Sequence, residues 1–131
     1  MKESKIEPFG YLMTLDLYGC EEGVCDDLGK CYNFLENIVE KLKMKKQSPP
    51  YIFRSDAVLY PDKAGLSGWV PLIESGIQIH TLVPKNFISI DIYSCRKFFT
   101  YDIEKYVQDY FKCKEVEMNF IDRGIKYNNV V

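Results

Sequence analysis

Hydrophobic and polar positions alternate along much of this chain, and a helical period interrupts them only twice. Over residues 11–18, Tyr11, Met13, Leu15 and Leu17 fall on one face and Leu12, Thr14, Asp16 and Tyr18 on the other. That pattern predicts a strand, closed by a turn at Gly19. From Asp26 the period lengthens, and Leu28, Cys31, Leu35, Ile38, Val39 and Leu42 form one helical stripe. Asp26 and Asp27 suit the first turn of this helix, and Lys41, Lys43, Lys45 and Lys46 the last, with Ser48-Pro49-Pro50 as its stop. Strand character returns over residues 51–60, 68–73, 77–83 and 87–93, with a loop at 61–65 and a turn at Pro84-Lys85-Asn86. Pro71 marks its strand as an edge or a bulge. A second helix follows, with Thr100 as N-cap and Ile103, Tyr106, Val107 and Tyr110 as its stripe. Residues 114–120 predict a last strand, and the tail from Asp122 reads as loose.

The predicted order is β-α-β-β-β-β-α-β. Several strands are joined by hairpin-length links, which favours a mainly antiparallel sheet. Two amphipathic helices then cover one face, giving an α+β two-layer sandwich. The other face is left for solvent or for a second subunit. With 131 residues the chain suits a single domain, 1–131, large enough to bury a sizeable core.

Composition narrows the function. Hydrophobic residues are 47% and aromatic residues 15%, which excludes a disordered chain. The net charge of −2 gives no support for nucleic acid or an anionic membrane as partner. The first residues carry no apolar signal core, and no stretch approaches the roughly 20 apolar residues of a membrane span. The expectation is a soluble, cytoplasmic protein. The five cysteines (Cys20, Cys25, Cys31, Cys95 and Cys113) are odd in number and form no CxxC pair. With a single histidine beside them, no metal site is expected, and the thiols read as free in a reducing compartment. The lysine run reads as a solvated helix end rather than an anion site.

Candidate chemistry gathers between Gly65 and Cys95. This stretch contains the only histidine, His80, with Ser67 and Ser75 before it and Cys95 after it. Singly these residues say little, since a histidine in a strand is more often structural and a cysteine at a strand end usually packs. Their combination is more specific. Gly65-Leu66-Ser67-Gly68, Glu74-Ser75, His80-Thr81 and Cys95, ungapped from Ser67 to Cys95, resemble the prokaryotic S-adenosylmethionine decarboxylases. The resemblance extends upstream through Phe9-Gly10-Tyr11-Leu12 and Asp16 to Cys20, and more weakly downstream to Arg123-Gly124.

What the resemblance implies is a self-processing, pyruvoyl-dependent decarboxylase that supplies the aminopropyl donor for spermidine synthesis. The proenzyme would cut itself between Glu74 and Ser75, giving a β chain of 1–74 and an α chain of 75–131. Ser75 would become the pyruvoyl group, which forms a Schiff base with the substrate amine and replaces pyridoxal phosphate; no metal is implied. Ser67 would support the processing oxyanion, His80 would accept the Ser75 α-proton, and Cys95 would donate a proton during turnover. Gly76 is expected to give the scissile bond backbone freedom. The family assembles as homodimers, here of processed αβ units, with sites built from both subunits.

The chain departs from the family at its substrate motif. Where relatives continue His-Thr-Trp-Pro-Glu, this sequence has His80-Thr81-Leu82-Val83-Pro84. Leu82 thus stands for the tryptophan and Pro84 for the glutamate. Tyr18 and Tyr60 are candidates for the missing aromatic face, and Asp16 or Glu74 for the carboxylate. A pyruvoyl-dependent arginine or ornithine decarboxylase, or a non-catalytic regulatory homologue, are the alternatives.

Overall fold

The computed structural model describes residues 7–131. The order of elements follows the periodicity: β1 (Gly10–Tyr18), α1 (Leu28–Lys41), β2 (Tyr51–Arg54), β3 (Leu66–Leu72), β4 (Ser75–Leu82), β5 (Phe87–Ser94), α2 (Thr100–Phe111) and β6 (Glu115–Arg123). The strands form one six-stranded sheet in the order β2-β3-β4-β5-β1-β6. Every pairing is antiparallel. α1 packs over β2, β3 and β4, and α2 over β1 and β6. Both helices therefore lie on one face, as expected of an α+β sandwich.

Alternation decides the core. Met13, Leu15, Leu17, Ile77, Ile79, Ile88, Ile90 and Ile92 point toward the helices and are buried. They meet Phe34, Leu35 and Ile38 of α1 and Ile103, Val107 and Phe111 of α2. The rings of Phe34 and Phe111 join the two helices, with centroids 4.8 Å apart. None of the described elements covers the opposite face. Tyr51, Phe53 and Trp69 stand exposed there at 49%, 67% and 48%, more than isolated surface residues require.

Several local expectations change. The strand over residues 51–60 stops at Arg54 because Asp56 draws the chain into a turn, its carboxylate accepting from the Val58 and Leu59 N–H groups. Thr100 is the first helical residue of α2, and Phe99 occupies the N-cap without a side-chain bond. The tail is tied down: Asp122 and Arg123 extend β6 against Tyr11 and Gly10. Beyond them Phe9 N–H donates to Gly124 O, and Tyr127 packs on Phe9 at 4.7 Å.

The lysine run also divides. α1 ends at Lys41, and Lys43 takes a left-handed φ of +56°. Met44 N–H then bonds Val39 O and Lys43 N–H bonds Glu40 O, the paired pattern that closes a helix C-terminus. Lys45, Lys46 and Gln47 leave the helix and run beside β3. Gln47 N–H donates to Pro71 O, so the Pro71 nitrogen faces the same outer side, and no hydrogen bond to β4 is lost. Pro71 lies beyond Trp69, which faces the first residue of β2, so its missing N–H falls outside the β2–β3 ladder.

Candidate active site

The β3–β4 hairpin carries most of the motif. Its turn is Ile73-Glu74, and Ser75 opens β4 opposite Leu72 on one side and Ser94 on the other. Ser75 has a φ of +154°, a value that a residue with a Cβ adopts rarely. The backbone abnormality at the Glu74–Ser75 bond therefore lies on Ser75 itself. Gly76 has no positive φ, contrary to the expectation of backbone freedom there. Its lack of a side chain instead makes room for Trp69, whose Nε1 would lie 3.1 Å from an added Cβ.

Glu74 is gripped from two sides. Its carbonyl oxygen accepts from the Cys95 N–H at 2.9 Å, and its carboxylate Oε1 accepts from the Lys45 N–H at 3.1 Å. The neighbouring Ile73 N–H donates to Lys45 O at 2.9 Å. Cys95 follows the last residue of β5 and is the one exposed cysteine of the five. So the structure brings Glu74, Ser75 and Cys95 together, across a separation of twenty residues in sequence that only the β4–β5 pairing closes.

Ser67 and His80 form a second group. They are direct cross-strand partners on the open face, with Ser67 Oγ 2.9 Å from His80 Nδ1. The register extends this row: His80 faces Ser89, Ser89 faces Asp16, and Asp16 faces Glu117. Five residues of extended β4 separate His80 from Ser75, roughly 16 Å at about 3.3 Å per residue. A single chain thus keeps the two groups apart.

Two cavities flank Trp69 on the open face. One, of about 560 Å³, is lined by Tyr51, Phe53, Ser67, Trp69, Gln78 and His80. The other, of about 360 Å³, reaches Ser75, Gln78, Asp91, Tyr93 and Arg123. Gln78 donates to the Asp91 carboxylate at 3.2 Å, and burial raises the Asp91 pKa despite that bond. The Arg123 guanidinium lies 4.6 Å from the centre of the Tyr93 ring. Tyr51 and Trp69 stand side by side with centroids 6.2 Å apart. The single tryptophan inside the motif stretch was the sequence signal for this aromatic wall; nothing in the sequence pointed to Lys45.

The other candidates lie elsewhere. Tyr18 packs against Phe87 at 5.2 Å, and Leu82 pairs with Phe87, so both sit at the far end of the sheet from Ser75. A hydrogen bond to Glu117 leads the effects that push the Tyr18 hydroxyl up to about 12. Tyr60 is 58% exposed in the loop after β2. The remaining thiols are buried: burial pushes Cys31 up to about 12, and a hydrogen bond to Cys25, then burial, pushes Cys20 up as well. Among the described residues, no group of three or more His, Cys, Asp or Glu side chains is placed to hold a metal ion. None of the described helices is long and apolar enough to cross a membrane.

Residues 11–124, nearly all of the chain, match the family described as S-adenosylmethionine decarboxylase. The chain belongs to the S-adenosylmethionine decarboxylase family. Family members are carboxy-lyases. The chain is 29% identical over 125 residues to the S-adenosylmethionine decarboxylase proenzyme of Pyrococcus furiosus, covering 92% of this chain and 83% of that one. It is likewise 29% identical over 116 residues to a proenzyme of the same name from Clostridium botulinum, covering 88% and 94%. The fold matches the crystal structure of the adenosylmethionine decarboxylase from Aquifex aeolicus with a TM-score of 0.74, at 23% identity and over 90% of this chain.

Proposed function

We propose that this chain is a self-processing S-adenosylmethionine decarboxylase that cuts itself between Glu74 and Ser75 into chains 1–74 and 75–131. One observation carries the reading: the Glu74 carbonyl oxygen already accepts an N–H bond at 2.9 Å, from Cys95, at a peptide whose serine has a φ of +154°. An amide donor at that distance stabilises the oxyanion formed when a nucleophile adds to the carbonyl. The nucleophile is the Ser75 hydroxyl. Its oxygen bonds to the Glu74 carbon, the carbon–nitrogen bond breaks, and the nitrogen takes the proton, leaving an ester. Removal of the Ser75 α-proton then breaks the Cβ–O bond and releases Glu74 as a free carboxylate. The dehydroalanine left behind takes a proton at Cβ to become an imine, and water then displaces its nitrogen as ammonia and leaves a pyruvoyl group at position 75.

The residues fit that group: Ser75 supplies its carbon atoms, and Cys95 follows Ser94, the β5 partner of Ser75. When present, the pyruvoyl carbonyl supplies the electron sink that decarboxylation of an α-amino acid needs. Cys95 is the proton donor of this reading, since its thiol is exposed and its backbone N–H is bonded to the residue before position 75. Ser67 and His80 are the processing pair, and their roles select one tautomer. With the proton on Nδ1, His80 donates to Ser67 Oγ, which frees Nε2 to accept the α-proton and the Ser67 hydroxyl to donate to the oxyanion.

The separation of the two groups supports a homodimer of processed units. A second copy laid on the open face brings its Ser67–His80 pair toward Ser75 of the first, and covers Tyr51, Phe53 and Trp69. The same aromatic wall suits the adenine ring and sulfonium of S-adenosylmethionine, in a cavity of small-ligand size. No metal or pyridoxal phosphate takes part in this reading, and the compartment is the cytoplasm.

Denaturing mass spectrometry tests the cleavage. Two fragments are expected, the larger ending at Glu74 and the smaller lacking a free amino terminus. An intact chain after prolonged incubation would instead support a non-catalytic homologue. CO2 release measured side by side on S-adenosylmethionine, arginine and ornithine fixes the substrate, with S-adenosylmethionine expected to be preferred.

A further inference from the structure

Arg96 directly follows Cys95, and its side chain reaches back to the end of α1. Its Nη2 donates to Leu42 O at 2.9 Å and to Lys43 O at 2.6 Å. These carbonyls are left over when the helix closes on the Val39 and Glu40 carbonyls, and they lie at the negative end of the helix dipole. The backbone of Arg96 is fixed as well. The buried Ser94 hydroxyl accepts from Arg96 N–H at 2.9 Å and donates to Arg96 O at 2.8 Å.

These bonds complete a ring around the scissile peptide. Glu74 carboxylate binds Lys45 N–H; Lys45 is two residues from Lys43; Lys43 O and Leu42 O bind the Arg96 guanidinium; Arg96 is joined to Cys95; and Cys95 N–H binds the Glu74 carbonyl. The two segments that grip Glu74 come from opposite parts of the chain. Among the described residues, the Arg96 guanidinium is the side chain that ties one to the other. Arg96 touches neither the scissile bond nor the Ser75 hydroxyl.

We infer that Arg96 is a positioning residue for self-cleavage, fastening the Cys95 segment to the α1 terminus so that the Cys95 N–H stays aimed at the Glu74 carbonyl. The inference rests on the self-processing reading above. Arginine suits the place because the rigid plane of the guanidinium fixes the direction of Nη2, whose two N–H groups serve both carbonyls, whereas a lysine ammonium turns on a looser stem. Displacement of an oxyanion donor costs rate steeply, since a shift of about 1 Å can lower a rate by as much as 100-fold.

The test follows cleavage of freshly synthesised full-length chain by denaturing mass spectrometry. Wild type, Arg96→Lys and Arg96→Ala are compared at a temperature where near-ultraviolet circular dichroism shows each fully folded. Arg96→Ala is expected to cleave slower on the order of tenfold, with Arg96→Lys between it and wild type. A purely structural residue would lower the melting temperature and leave the rate of the folded chain unchanged. Equal rates for all three folded chains would overturn the inference. Should Arg96→Ala fail to fold, Arg96→Lys decides: a slower rate supports the role and a wild-type rate removes it. Failure of wild type itself to cleave would instead sink the self-processing reading.

Discussion

The two faces of the sheet are made by the same strands and behave as different materials. The helix-covered face is built from isoleucine, leucine and methionine, with Thr81 and Ser94 as its buried polar residues. Both have their hydroxyls satisfied: Thr81 Oγ1 donates to Cys25 O at 2.6 Å and accepts from Leu66 N–H at 2.8 Å. The open face carries Ser67, His80, Gln78 and Asp91 among exposed aromatic rings. Ser75 belongs to neither in a simple way. Its place in the alternation is that of Ile77 and Ile79, yet it lies at the strand end, where the backbone is held by Cys95 and Lys45. In the self-processing reading, reactivity comes from leaving the regular ladder, whereas recognition comes from facing away from the core.

The largest test of that division is Ser75→Ala. It removes the nucleophile while keeping a Cβ on the unusual backbone, so cleavage should vanish and a single 15.3 kDa chain persist with unchanged thermal stability. Cleavage in that variant would move the reactive site elsewhere. Next is His80→Ala, expected to slow processing by about 10²–10⁴-fold, the range for loss of a general base. Mixing Ser75→Ala with His80→Ala chains sharpens the result. Recovered cleavage of the His80→Ala chain in the mixture means that one subunit supplies the pair to the other; no recovery means that each chain processes alone.

On the covered face the effects should reverse. Thr81→Val leaves the Leu66 N–H and the Cys25 carbonyl without their partner, at about 1–3 kcal/mol for each group. A lowered melting temperature is expected with cleavage intact, read by calorimetry and mass spectrometry on the same sample. The smallest effect is chemical labelling of the native protein. A thiol reagent should modify Cys95 alone, since the other four cysteines are buried. Fast labelling at Cys31, where burial pushes the thiol up to about 12, would break the picture of a closed face.

The element order was legible because alternating and helical periods differ, and each follows from which side chains must be buried. Boundaries slipped where local chemistry acted instead of period, as with the Asp56 turn that shortens β2 and the left-handed Lys43 that ends α1 early. The motif residues were legible as a set through family resemblance. Their grouping was not. Ser67 and His80 are adjacent because β3 and β4 pair in one register, and a shift of one residue would put them on opposite faces. Gly76 predicts backbone freedom beside the Glu74–Ser75 bond, whereas the positive φ falls on Ser75, since glycine signals freedom without saying which neighbour uses it.

By itself the sequence determined the α+β class and the face each strand residue takes, and its family resemblance marked Ser67, Glu74, Ser75, His80 and Cys95 as candidates. The class and the faces are properties of spacing and residue type, and they survive without knowing which strand lies beside which. Tertiary structure alone decided that Glu74 is held by Cys95 and Lys45, that Arg96 ties those holders together, and that Ser67–His80 stands apart from Ser75. Each of these depends on backbone groups or on pairing between distant segments. Every residue but proline has the same N–H and C=O, so no other residue letter records which of them will meet.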